Sequence, residues 1–181
     1  MKKYKCGLYV GRFQPLHLGH YNVISQMFEE CETVIVAVGS AQECGTERNP
    51  FSYGLRASLI SRTFMAYYNR LIVIPVDDRE HPSNDPSWGD YLFDIVKKYT
   101  GLTPDVIYEG EEAERSTWYD NHDIHVETIS RTIVKISGTE VRQSLLTGCE
   151  EAFCIKTPYA VSFEYEKLRE ELLKCYNSQK M

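Results

Sequence analysis

Two histidines three residues apart, His17 and His20, flank Gly19 in the segment Gly11-Arg12-Phe13-Gln14-Pro15-Leu16-His17-Leu18-Gly19-His20. At a helix start this spacing puts both rings on one face. A helix N-terminus offers unpaired N–H groups and the positive end of the peptide dipole. Gly19, with no side chain, lets a phosphate approach that backbone closely. The pattern predicts an anion cradle with imidazole donors, and it lacks the Gly-x-x-x-x-Gly-Lys spacing of a Walker loop. Far along the chain, Ile136-Ser137-Gly138-Thr139-Glu140-Val141-Arg142 repeats the logic. Ser137 or Thr139 reads as an N-cap, and Arg142 falls one turn into the helix that follows. A guanidinium stays charged and donates in a fork, which suits polyphosphate oxygens. Alone, each segment has an ordinary reading, as a surface or core histidine pair and as a helix cap. Both at helix openings in one strand–helix alternation, they point to the handling of a triphosphate.

The elements that position them alternate between strand and helix. Tyr4–Val10 reads as a strand, the loop Gly11–Leu18 follows, and a helix from about Gly19 to Cys31 places Val23, Ile24, Met27, Phe28 and Cys31 on one face. Thr33–Val38 is a β-branched run of the kind covered on both sheet faces. Ser52 caps a helix expected to reach about Tyr68. Leu71–Val76 is the third strand, with a Pro-, Asp- and Asn-rich loop after it and a helix from about Trp88 to Tyr99. Asp105–Tyr108 and Ile124–Glu127 complete the strands. Ser137 or Gly138 opens a short helix ending near Gly148, and Pro158 starts a charged final helix to about Tyr176 that is expected to pack on the outside. The fold class is α/β, a doubly wound, Rossmann-like parallel sheet with right-handed crossovers. The expectation is a single domain over 1–181, with its core at about 4–155 and a C-terminal helix at about 158–176. Ligands of such sheets lie at the carboxyl ends of the strands, near a topological switch point. The loops Gly11–Leu18, Gly39–Phe51 and Asp77–Ser87 gather there.

Composition narrows the class. A hydrophobic content of 43% and a charged content of 25% are those of an ordinary globular chain. No apolar run approaches the ~20 residues of a membrane span. The apolar stretch after Met1-Lys2-Lys3 is too short for a signal peptide. Six cysteines show no Cys-x-x-Cys pair, so a reducing cytoplasm is the expected compartment. A net charge of −6 argues against nucleic acid as a partner, though not against a small nucleotide site built from a few placed cations. His122-x-x-His125 with Asp120 and Asp123 could be drawn as a metal site, but loop residues entering a strand account for it better. Glu111, Glu112 and Glu114 suit a helix dipole.

His17-x-Gly-His20 with Ile136-Ser137-x-Thr139-x-x-Arg142 resembles the paired signature of the HxGH nucleotidylyltransferase superfamily. The finer string from Gly11 to His20, with Gly39-Ser40-Ala41-Gln42 and Arg48-Asn49-Pro50-Phe51, resembles nicotinamide mononucleotide (NMN) adenylyltransferase, of the archaeal type and its Nudix-fused bacterial relatives. The similarity runs in order from about Lys5 to about Val161. It implies transfer of AMP from ATP to NMN, giving NAD and pyrophosphate, with Mg²⁺ accompanying ATP. It also implies roles. Positions matching His17 and His20 contact ATP phosphates, and Ser137, Thr139 and Arg142 hold the β and γ phosphates. Gly11, Arg12, Phe13 and Gly19 belong to the same nucleotide site, and Arg12 and Arg48 match arginines shared by both substrates. His17, His20, Arg48 and Arg142 form the catalytic set. Trp88 matches a tryptophan that stacks on nicotinamide, and Asp77 or Asp78 falls in the loop that holds its carboxamide. Read without the family, Trp88 is a core anchor at a helix start.

The chain departs from the archaeal pattern at the nucleoside end. Extra residues lie between Asp77 and Trp88, where Asn84-Asp85-x-x-Trp88 resembles the Nudix-fused branch, as does Ser116-Thr117-Trp118-Tyr119. Glu111-Glu112 replace the archaeal Asn, and the Nudix domain has no counterpart. Competing acceptors are nicotinate mononucleotide, for which Arg79 is an available cation, and phosphopantetheine, FMN or an alcohol phosphate, which the Gly-Arg-Phe-Gln opening disfavours. A non-catalytic nucleotide-binding regulator is the rival from another class. Homo-oligomer formation is left open by the sequence.

Overall fold

Alternation of buried side chains along each strand dictates that helices cover both sheet faces. In β1 (Tyr4–Gly11) Tyr9 enters one apolar cluster while Cys6 and Leu8 enter the other. In β2 (Cys31–Val38) Val34, Val36 and Val38 face the first cluster, Ile35 and Ala37 the second. Residues 1–79, 86–111, 118–130 and 135–178 are described in the computed structural model. The sequence features Asn84, Asp85, Glu112, Glu114, Ser116 and Thr117 lie outside them.

The sheet has five parallel strands in the order β3-β2-β1-β4-β5, with β3 at Leu71–Pro75, β4 at Val106–Gly110 and β5 at His125–Ile129. Winding runs from β1 outward to β3, then resumes on the other side of β1 at β4. The chain therefore parts between β1 and β4, and a crevice opens at their carboxyl ends. The first cluster takes Val23, Ile24, Met27 and Phe28 from α1 (Leu18–Glu30) and Leu59 and Ile60 from α2 (Tyr53–Thr63). The second takes Leu92 and Val96 from α3 (Pro86–Thr100), with Trp118 and Tyr119.

The helices depart from the sequence expectation at several places, the first being Cys31, which opens β2 and does not lie on the face of α1. α2 stops at Thr63 and a 3₁₀ turn, Met65–Tyr67, replaces its last turn. After α4 (Gly138–Thr147), closed by Gly148 at φ 73°, comes a short α5 (Glu150–Cys154) that the sequence did not reveal. The final helix is two pieces, α6 (Tyr159–Ser162) and α7 (Tyr165–Ser178). α7 is not merely external. Its Tyr165, Leu168 and Leu172 are buried in the first cluster, and only its charged face looks outward. Among the described residues no helix is long and apolar enough to cross a membrane, and all six cysteines are free thiols.

Candidate active site

His17 is the N-cap of α1 and His20 its N3 residue, so the two imidazoles form the capping box that Ser and Glu more often supply. Gly19 N–H donates to His17 Nδ1 at 3.2 Å, and His17 N–H donates to His20 Nδ1 at a longer 3.4 Å. A ring nitrogen that accepts a hydrogen bond carries no proton, so each neutral ring holds its proton on Nε2. The backbone thereby sets both rings as Nε2–H donors. They stack with centroids 3.7 Å apart, and Phe13 packs on His20 at 4.6 Å. A Cβ on Gly19 would meet the His17 ring at 3.0 Å. The room that glycine leaves is thus used by His17, and the Gly19 N–H expected to meet a phosphate is engaged by that ring.

α4 faces this opening. Ser137, not Thr139, is its N-cap and accepts from Glu140 N–H, while the Glu140 carboxylate accepts from Ser137 N–H at 2.8 Å. Those bonds to Ser137 hold the Glu140 carboxyl below its ordinary range. Arg142 donates to the Gln14 carbonyl at 2.9 Å and approaches Thr139 Oγ1 at 3.4 Å. Arg12, Phe13, Gln14, His17, His20, Ile136, Ser137, Gly138 and Arg142 line one cavity of about 180 Å³. His17, Gly19 and His20 also line its neighbour, together with Tyr9, Gly110, Ile129 and Ser130 from the strand ends.

The cavity is electropositive by construction. Burial lowers the Arg12 pKa, and the nearby Arg48 lowers it further. Burial and then Arg12 do the same to Arg142. No carboxylate among the described residues lies within ion-pair distance of these arginines. Converging cations that lower one another's proton affinity, in a cleft, are what an anionic ligand would relieve. Among the described residues no three His, Cys, Asp or Glu side chains are grouped to hold a metal ion. His122 and His125 face different carboxylates, Asp90 and Glu127, each at 3.2 Å.

The residues expected at the nucleoside end lie past the carboxyl end of β3 and at the start of α3. Asp77 and Asp78 are exposed; the Asp77 carbonyl accepts from Tyr91 Oη at 3.3 Å, and Asp78 N–H donates to Gln42 at 3.0 Å. Arg79 lies over the Tyr91 ring at 4.0 Å. Trp88 is half-buried, edge-on to Trp118 at 5.1 Å. None of the three expected there lines the phosphate cavity. Gly11 ends β1, where its carbonyl accepts from Gly39 N–H at 2.9 Å and ties two of the loops together.

Two residues essential to this arrangement escaped sequence reasoning. Arg56, fully buried, donates to the carbonyls of Arg12 and Gly39 at 2.7 Å and Ser40 at 2.9 Å. Burial lowers its pKa, and carbonyl oxygens surround it in place of a carboxylate. Gln14, also buried, pairs its side-chain amide with both backbone groups of Phe51. The one signal for either was Gln14's place inside the first motif.

Comparison with known proteins agrees with the geometry. The Cytidylyltransferase-like family profile matches residues 8–144. A nicotinamide-nucleotide adenylyltransferase of Thermoplasma volcanium is 32% identical over 144 residues, covering 77% of this chain and 74% of its own. One from Pyrococcus furiosus is 28% identical over 80% of this chain and 74% of its own. Among solved structures, a bifunctional NMN adenylyltransferase/ADP ribose pyrophosphatase of Francisella tularensis, complexed with AMP and a manganese ion, superposes with a TM-score of 0.70 at 22% identity. It aligns with 93% of this chain, which spans about half of it, 52%. The two helix openings fall within or at the end of the matched stretch, and the chain belongs to the Cytidylyltransferase-like family.

Proposed function

We propose that this protein is a nicotinamide-nucleotide adenylyltransferase, converting ATP and NMN to NAD and pyrophosphate. The observation that carries this reading is the shared cavity: donors from the α1 opening and the guanidinium one turn into α4 line one space beside Arg12. Archaeal relatives of that name supply the acceptor, and the match covers most of both chains.

The nucleophile is a phosphate oxygen of NMN, ionised at neutral pH, so no general base is needed. It forms a bond to the α phosphorus of ATP as the bond from that phosphorus to the β-bridging oxygen breaks, and pyrophosphate leaves with the electron pair. The barrier lies in bringing two anions together and in the charge moving onto the leaving group. His17 and His20 donate from Nε2 to the phosphate undergoing transfer. Ser137, Thr139 and Arg142 hold the β and γ phosphates, and Arg12 and Arg48 offset repulsion between the substrates. Support comes from His17, His20, Arg12 and Arg142, which line one cavity; donors fixed before substrate arrives are the condition for electrostatic preorganisation. Mg²⁺ enters as part of the ATP substrate and shields its phosphate charge, since such ions rest mainly on phosphates and water. Trp88 takes the nicotinamide ring, and the exposed carboxylates of Asp77 and Asp78 favour its neutral amide over a carboxylate.

The test is purified protein with ATP, Mg²⁺ and, in separate reactions, NMN, nicotinate mononucleotide, phosphopantetheine and FMN, with products identified by mass. NAD and pyrophosphate in equal amounts are expected, at the highest kcat/KM of the panel. Greater turnover of another acceptor would replace NMN, and binding without turnover would make the protein a regulator.

A further inference from the structure

We infer that Gln14 is the positioning residue that holds Arg12 and Arg142 of the cradle, and the loop that carries Arg48, in mutual register. It stands two residues after Arg12. Its main-chain carbonyl accepts from Arg142 at 2.9 Å, which seats that guanidinium. Its side-chain amide donates to Phe51 O at 3.1 Å and accepts from Phe51 N–H at 3.0 Å, three residues beyond Arg48. One residue thus joins the β1 loop, the Arg48 loop and α4, which are otherwise remote in sequence.

Two features set this apart from ordinary loop packing. Gln14 is 4% exposed, so both bonds of its amide form away from water and fix direction as well as distance. The residue before it, Phe13, has φ 52°, a left-handed conformation that a bulky side chain rarely adopts. The Phe13 ring is locked against Tyr9 and His20, and the Gln14–Phe51 pairing secures the other side of the strained residue. A rigid connection of this kind holds mutually repelling arginines close before an anion arrives.

The inference rests on reading the cradle as a triphosphate site, and inorganic tripolyphosphate is the probe that separates the two. Binding is measured by calorimetry for the wild type, Gln14→Leu and Gln14→Asn, each alone and with Arg142→Met, beside thermal melts without ligand. Leu removes both amide bonds at similar volume, and Asn keeps the groups but shortens their reach. The expected result is a roughly 10-fold or larger loss of tripolyphosphate affinity and a matching rise in the KM for ATP, in variants that still melt cooperatively. With Arg142→Met already present, the further loss should shrink below about 3-fold, because the residues act as one unit. An equal loss in both backgrounds, or affinity unchanged despite a lowered Tm, reduces Gln14 to a stability role and overturns the inference alone. A wild type that ignores tripolyphosphate removes the cradle itself, and the inference with it. Failure of both variants to fold places Gln14 in the core and also overturns the positioning role.

Discussion

His17 and His20 act as donors because of the hydrogen bonds they accept. With Nδ1 of each ring turned to backbone N–H, the proton that a neutral ring can donate to a phosphate is the one on Nε2. His20→Ala is expected to lower kcat by roughly 10²–10³, the scale for losing a placed donor; a steady-state assay showing near-normal kcat would withdraw the assignment. At Arg12 the sign is opposite for stability and function. Burial and Arg48 lower its pKa, so the folded state disfavours its charge at any pH where it is protonated. Arg12→Met should therefore leave the ligand-free Tm equal or higher, while the rise in Tm caused by ATP, measured by differential scanning fluorimetry, shrinks. Trp88→Ala should chiefly raise the KM for NMN, since stacking of a cationic ring on an indole face contributes about 0.5–2 kcal/mol in ground and transition states alike. An unchanged KM would remove Trp88 from the site.

The elements show what a linear reading can and cannot reach. All five strands were legible because β-branched runs such as Thr33–Val38 leave few alternatives, and the α1 and α4 openings because their caps are local. The break between α6 and α7 was not. Residues 159–176 hold neither Gly nor Pro, and the second helix is set by where Tyr165, Leu168 and Leu172 dock. α5 is too short for periodicity to mark. Arg56 resembles any surface arginine of a helix, yet its partners lie 16, 17 and 44 residues away. Gln14 owes its place to Phe51, 37 residues on. Caps make their own prediction: Gly19→Ala drives a Cβ toward the His17 ring. It should lower kcat well beyond what its modest Tm loss explains, and equal losses in both would show that His17 tolerates displacement.

At the scale of the whole molecule, the parallel sheet brings helix openings from opposite ends of the chain to one crevice, and side-chain clusters away from it join strands that are not neighbours. Glu127 on β5 accepts from Tyr4 Oη at 2.7 Å and pairs with Lys3, which ties β5 to β1. The Lys3 and Tyr4 bonds bring its pKa from 4.5 down to about 2. A lowered carboxylate pKa stabilises the fold above 4.5, and the contribution fades as pH falls toward 2. Glu127 is half-buried but its partner Lys3 is exposed, so solvent screening keeps the effect to about 1 kcal/mol or less. Urea melts of Glu127→Gln should show the wild type ahead at pH 7 and the gap narrowing by pH 3. A gap constant with pH would assign the stabilisation to packing instead.

The central claim is that the α1 and α4 openings act on one triphosphate. It is tested most directly by the crystal structure of the protein with a non-hydrolysable ATP analogue and Mg²⁺, from which the distances at His17, His20 and Arg142 are read. Both imidazole Nε2 atoms and the Arg142 guanidinium should lie within about 3 Å of oxygens on the same triphosphate. A triphosphate held by only one of the two openings, or bound elsewhere, contradicts the account.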